Sequence, residues 1–235
     1  MRVAILQPGY LPWAGYFDQM NKADVFVNAT NLQYTRQDWR SRNRIKTRKG
    51  WQWLTVPVKS RGMYHAAINE IRVNNDIPWA GKHLNLLREN YSEAAYFKEY
   101  LPFFEETYHR HWEFLLDLDI HIIAYIRKVL GIHNRSVDIQ ELNMGQVGRN
   151  DRIISICQKL GATVYLSGNA AKNYIKPELF EEAGIRLEYQ EYDHPVYPQL
   201  HGEFIPFMSV IDLLFNCGPK SLSVISGSGS RKTVR

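Results

Sequence analysis

At 235 residues the chain lies near the upper limit of what one hydrophobic core supports, which favours one domain with an insertion over two domains. Lys and Arg exceed Asp and Glu by 29 to 24, for a formal charge of +5, too small an excess to name a partner by itself. Cys157 and Cys217 carry no metal-ligand spacing and fit a reducing cytoplasm; a secreted or membrane-spanning protein is not expected, because the opening residues lack a signal-peptide pattern and no apolar run nears the ~18 residues of a span.

Val3 to Leu6 is an apolar run ended by Gln7-Pro8-Gly9, the pattern of a buried strand followed by a tight loop. A helix is expected over 13–22, with Phe17 and Met20 at helical spacing, and a second strand over 24–28. Strand, helix, strand with short joints is a βαβ unit, which predicts a parallel sheet. Residues 29–50 are polar and cationic and read as a long loop, with seven cations and one acid between 36 and 50. Residues 51–58 are rich in β-formers, and 68–73 could pair with them as an antiparallel excursion.

From 78 to 131 the pattern is helical, fitting three helices with a stop at Gly131. A strand follows at 135–139. Asn150 is the expected N-cap of a helix over 151–160 that ends at Gly161. Strands at 163–166 and 186–189, a helix near 179–183 and a last helix over 209–216 complete the pattern. The fold class is therefore α/β, a mainly parallel sheet flanked by helices in Rossmann-like fashion, with a β excursion and a helical insertion at about 78–131. The unit covers 1–225, and the Gly/Ser-containing tail over 226–235 reads as flexible.

Three segments carry candidate chemistry. In Gln7-Pro8-Gly9-Tyr10-Leu11-Pro12-Trp13, Gly9 permits close backbone approach and the helix start could hold an anion; a rigid turn with Tyr10 and Trp13 packed inward is the competing explanation. Gln33, Tyr34, Trp39, Arg42, Asn43, Arg44 and Lys46 combine amide, aromatic and cationic groups suited to phosphate and to a stacked ring, and a similar patch could bind RNA. The run from Tyr192 to Phe204 holds His194, a candidate general base, and Gln199, a candidate ligand donor. Asp212 could cap the last helix or face the site. Ser167 and Gly168 stand where a strand passes to a helix, the usual ligand position in an open α/β sheet. The histidines at 83, 109 and 111 form no recurrent zinc pattern, and GxSxG, Walker and GxGxxG sequences are absent, against a structural metal, a serine hydrolase, a P-loop NTPase and a dinucleotide oxidoreductase.

Four blocks in order, ILQPGYLPWAGYF, DVFVNATNLQYTRQDWRSRNRIKTRKGWQWLTVPV, GATVYLSGNAAKNY and HPVYPQLHGEFIPFMSVIDLLFNCGP, resemble the WbqC-like protein family over nearly the full chain. The resemblance implies association with O-antigen or other surface-polysaccharide biosynthesis, often beside amino-sugar formation. Thr30-Asn31 stands where the family often has an acidic pair, which removes the acid that a metal or general-base role there would need. A more distant resemblance links the first 34 residues to pantothenate synthetases and other nucleotidylyl-transferring α/β enzymes, without the paired histidines of their first loop. That relation implies ATP as a cofactor, an acyl-adenylate intermediate and attack by an amine, with phosphates held by the first-loop backbone, Arg42, Arg44 and Lys46. The favoured expectation is N-acyl or N-aminoacyl transfer to a nucleotide-linked amino sugar, a phosphate-bearing substrate, with aminoacyl-tRNA or an acyl carrier as other donors. The alternative is a non-catalytic protein that binds a sugar nucleotide or RNA.

Overall fold

The computed structural model describes residues 1–63, 65–145 and 148–227, so the predicted tail lies, from residue 228 onward, outside the described residues. The first half contains β1 (Arg2–Leu6), α1 (Ala14–Lys22), β2 (Val25–Asn28), β3 (Arg42–Thr47), β4 (Gly50–Thr55), β5 (Val58–Lys59) and β6 (Arg72–Val73). Three helices follow, α2 (Trp79–Tyr91), α3 (Phe97–His109) and α4 (Leu115–Leu130). The second half contains β7 (Arg135–Asp138), α5 (Arg149–Leu160), β8 (Val164–Ser167), α6 (Pro177–Glu182), β9 (Arg186–Tyr189), α7 (Val210–Cys217) and α8 (Ser221–Ile225).

Five strands form one all-parallel sheet in the order β7-β2-β1-β8-β9. Register aligns Ala4 with Phe26 and Leu166 on one face, and Val3 with Val25 and Tyr165 on the other. Both faces are covered, which is why the central strands are apolar on both sides. Phe17 and Met20 of α1, helices α2 to α4, and Leu214 and Phe215 of α7 build the core over the first face. Ile153, Ile156 and Cys157 of α5 and Phe180 of α6 build the core over the second. Gly131 and Gly161 end α4 and α5 at φ 71° and 69°, left-handed conformations that cost glycine little and let each N–H bond back to the last turn. Among the described residues no helix is long and apolar enough to cross a membrane.

The structure revises three sequence expectations. Residues 42–47 are the strand β3, hairpinned to β4, because every residue from Arg42 to Thr47 has a cross-strand partner between Gly50 and Thr55. The excursion from 51 onward pairs with 72–73 only at Val58–Lys59, and residues 50–55 pair instead with β3. Gly148, not Asn150, is the N-cap of α5; the Asn150 side chain instead ties to the main chain of Tyr174 and Lys176 at 3.2 Å each.

Candidate functional site

Chain order runs outward from β1 through β2 to β7, then returns to β8 and β9 on the other side, so the strand order reverses between β1 and β8. Loops leaving two such strands diverge and open a crevice at their carboxyl ends. A cavity of about 610 Å³ lies there, bounded by Gln7 and Gly9 after β1, by Gly168 and Asn169 after β8, and by the start of α1. That size suits a small molecule.

The first loop is held from outside. The Tyr10 N–H donates to Trp39 O and Arg40 O at 3.1 and 3.2 Å, and the Tyr10 hydroxyl is buried against His83 Nδ1 and the Tyr108 hydroxyl at 2.8 and 2.6 Å. Burial lowers the His83 pKa to about 4, which keeps this imidazole neutral. Leu11 adopts a left-handed φ of 48°, a conformation that strains a branched residue, and Asn43 Nδ2 fixes it by donating to Leu11 O at 2.7 Å. A Cβ on Gly9 would stand 2.7 Å from Trp39 O, so glycine at 9 is what lets the segment carrying Trp39 and Arg40 close over the crevice.

Two guanidinium groups line the cavity. Arg40 donates from Nε and Nη2 to Gln7 Oε1 at 2.9 and 2.7 Å and pairs with Asp38 at 2.8 Å. Arg44 donates from Nη2 to Phe207 O at 3.1 Å and sits beside the rings of Trp39, Trp51 and Trp53, 5.1 to 5.8 Å from their centroids. Its Nε has no partner among the described residues, and burial lowers its pKa from the ordinary value, the mark of a cation short of hydration. The rest of the lining is neutral and mostly apolar, with a few polar groups set into it. The hydroxyls of Tyr16 and Tyr192 are buried without a hydrogen-bond partner among the described residues, and burial raises both phenol pKa values, so they stay protonated donors. Gln190 is locked by Nε2 onto Gly15 O and Asp18 at 2.8 and 2.7 Å, and Gln19 onto Leu166 O at 2.9 Å. Among the described residues the lining contains no carboxylate, histidine, lysine or cysteine. Its polar groups can receive an anion and hydroxyls, and the rings of Trp13, Trp39 and Phe207 supply apolar surface in the same lining.

Of the residues singled out from sequence, Gln7, Gly9, Trp39, Asn43, Arg44 and Gly168 meet at this cavity. Tyr34 and Arg42 line a separate, shallower concavity on the other side of the 36–41 segment, and Arg42 lies over Trp53 at 4.3 Å. Gln33 touches the site through its carbonyl, which accepts from Gln7 Nε2 at 3.3 Å. Lys46 is buried and donates from Nζ to Gly202 O and Glu203 O, holding the 192–207 segment down. Ser167 is buried, its Oγ 3.4 Å from Gly168 O.

His194 lies one ring behind the lining, against Trp13, Tyr192 and Phe207. Its Nδ1 is 3.0 Å from Pro195 O, its buried Nε2 has no partner among the described residues, and burial lowers its pKa from the ordinary value. Asp212 is fully buried and accepts from Tyr91, Tyr197 and Gln199 at 2.7, 2.8 and 2.8 Å. Burial pushes its carboxyl upward while these three donors pull it down. In this position Asp212 ties α2, α7 and the intervening segment together away from the cavity.

Sequence reasoning did not single out Arg40, Tyr16, Gln19 or Gln190, and named Tyr192 only as the first residue of the 192–204 run; all five line the cavity. Gln19 left a signal, a polar side chain beside Phe17 and Met20 on a helix buried through most of its length. Arg40 left none, because nothing local separates it from the other cations of 36–50.

The WbqC-like protein family matches residues 7–224. A Mycobacterium tuberculosis protein named Uncharacterized protein Rv1507c is 39% identical over 223 residues, covering 94% of this chain and 95% of its own length. No solved structure shows significant similarity to the chain. The chain belongs to the WbqC-like protein family.

Proposed function

We propose that the protein binds a nucleotide-linked amino sugar in the crevice between β1 and β8 and transfers an acyl or aminoacyl group to its amine, a step of surface-polysaccharide or nucleotide-sugar biosynthesis. The observation that carries this reading is the lining itself: two arginines, amides and protonated phenols, with no acid among the described residues. Such a surface attracts phosphates through charge and offers hydrogen bonds to sugar hydroxyls, whereas a cationic substrate would find no counter-charge. Arg40 and Arg44 take the phosphates, and the phenols of Tyr16 and Tyr192 face the hydroxylated part. With no carboxylate in the lining among the described residues, a divalent ion accompanying ATP would be held by the phosphates of the nucleotide.

In the transfer, a neutral amine attacks the acyl carbonyl, a C–N bond forms and the acyl leaving group departs, so the nitrogen must shed a proton. His194, kept neutral because burial lowers its pKa, packs behind Trp13, Tyr192 and Phe207 and is not part of the lining, so the proton passes to solvent rather than directly to this imidazole. The lack of a histidine, carboxylate, lysine or cysteine in the lining among the described residues favours a second reading, a binding protein that presents a sugar nucleotide without turning it over. Incubation with nucleotide-linked amino sugars and a donor panel, carboxylic acids with ATP, acyl-carrier thioesters and aminoacyl-tRNA, separates the two. An amide product detected by mass spectrometry supports transfer; saturable binding with no product from any donor supports the binding protein.

A further inference from the structure

The hairpin β3–β4 carries an aromatic and cationic surface that starts inside the cavity and continues beyond it. Trp39 and Trp53 have ring centroids 5.4 Å apart, Trp53 and Trp51 5.7 Å apart, and the Arg44 guanidinium lies among all three. Register explains the cluster: Arg44 stands directly opposite Trp53 and Lys46 opposite Trp51, so the two tryptophans of β4 share a face with the alternate residues of β3. Arg42 covers Trp53 from the other end at 4.3 Å. Trp39 and Trp51 nevertheless remain 43% and 46% exposed, a large apolar area to leave in water beside a binding crevice. Trp39 and Arg44 line the cavity while Trp51 and Trp53 do not, so the surface points outward from its mouth.

We infer that this cluster is the base-binding platform of the site: a nucleoside diphosphate sugar lies with its base on the exposed indole of Trp51, which stands edge-on to Trp53 and beside Arg44, with its diphosphate at Arg44 and Arg40 and its sugar inside the cavity. The assignment rests on the reading of the cavity as a nucleotide-sugar site and adds the direction in which the ligand lies. Stacking suits a flat ring of any base, since each presents a π face, and the adjoining guanidinium supplies the charge that the phosphates need. Bases are the ligand part that fits flat indole surfaces; the protonated phenols and amides deeper in fit hydroxyls. A cavity of about 610 Å³ matches the sugar and phosphates of one such molecule, which favours a small nucleotide over a nucleic-acid strand on the same surface.

The test is calorimetry on the full chain with three probes: UDP, UDP-N-acetylglucosamine and N-acetylglucosamine 1-phosphate, which lacks the nucleoside. Trp51→Ala is expected to weaken UDP and UDP-N-acetylglucosamine about tenfold and to leave the sugar phosphate unchanged. Trp51→Phe should restore most of the loss, and both variants should keep the melting temperature because Trp51 is half exposed. Equal weakening of all three probes, or no weakening of any, overturns the platform. Binding of the sugar phosphate with no gain from the nucleoside overturns the platform and leaves the cavity assignment standing. Failure of all three probes on the unaltered protein overturns both. A single-stranded RNA 12-mer that binds more tightly than UDP and loses affinity in Trp51→Ala would make the cluster a nucleic-acid surface instead.

Discussion

Arg40 clasps Gln7 with two converging hydrogen bonds, Nε and Nη2 to the one amide oxygen at 2.9 and 2.7 Å, and so joins the loop after β1 to the segment that covers it. The acceptor is neutral, so the clasp orients the guanidinium without cancelling its charge; Asp38 offsets part of it from the far side at 2.8 Å. Replacing Gln7 by Glu keeps an oxygen against Arg40 and makes it a carboxylate, but it also removes the Nε2 donor that bonds Leu32 O and Gln33 O at 3.3 Å each. Gln7→Glu should therefore lower the melting temperature somewhat and weaken phosphate-bearing ligands, and Arg40→Ala should weaken them by about 1.5–3 kcal/mol, the worth of a charged hydrogen bond. Calorimetric titration of both variants checks this, and unaltered affinity in Gln7→Glu would place the anion elsewhere.

Arg42 and Arg44 sit two residues apart on β3, yet Arg44 lines the crevice and Arg42 lines the concavity beyond it. Charge alone would make them equivalent. Arg44→Ala is expected to cost about 1.5–3 kcal/mol of ligand affinity, and Arg42→Ala less than ~0.5 kcal/mol, the range of a surface change away from the contact. Equal losses in the two variants, measured side by side at one ionic strength, would show that only the summed charge of β3 matters.

Gly9 tests whether the closed segment is needed. A methyl group at this position meets the Trp39 carbonyl at 2.7 Å, a backbone atom that a side-chain rotation cannot remove. Gly9→Val should push the 39–40 segment outward, break both Tyr10 N–H bonds and displace Arg40 from Gln7, so binding should vanish while the sheet persists. Overpacking of this kind costs about 1–3 kcal/mol of stability. Circular dichroism with a ligand titration reads both quantities, and a variant that binds normally would show that the segment opens freely.

The parallel sheet was legible because its strands are buried on both faces and announce themselves as apolar runs, with Val3 to Leu6 and Val25 to Val27 as the clearest. Gly131 and Gly161 marked two helix ends for the same local reason, their left-handed φ. β3 was hidden because its only apolar residue is Ile45; its strand state comes from the tryptophan-rich partner β4, which no window around 42–47 contains. The site divides the same way. Residues next to strand ends, Gln7, Gly9 and Gly168, follow from the α/β pattern, while Tyr16 from a helix flank and Tyr192 from the late irregular segment reach the cavity through tertiary packing alone.

Asp119 is the least expected charged residue of the fold. It lies on α4 in an apolar stretch, is fully buried, and neither carboxyl oxygen has a hydrogen-bond partner among the described residues. Burial raises its pKa well above the ordinary 3.8, Arg40 opposes the rise, and its charge is felt at Tyr10, Tyr16 and Tyr34, which places it behind the first loop. The folded protein then holds a proton that the unfolded chain gives up near pH 4. Wherever the folded state binds more protons, stability falls as pH rises, so the loss attributable to Asp119 begins as pH climbs through the ordinary carboxylate range and ends only above the raised folded value. Asp119→Asn removes this titration and keeps the side-chain shape. Its unfolding free energy relative to the unaltered protein should therefore increase from pH 4 upward, measured by urea denaturation at fixed ionic strength across pH 3.5 to 8. A difference that stays flat, or that runs the other way, would mean that Asp119 is ionised in the folded protein and that the Arg40 charge, rather than burial, governs it. That outcome would also predict weaker phosphate binding in the unaltered protein than in Asp119→Asn, because the carboxylate would then compete for Arg40 from behind the cavity.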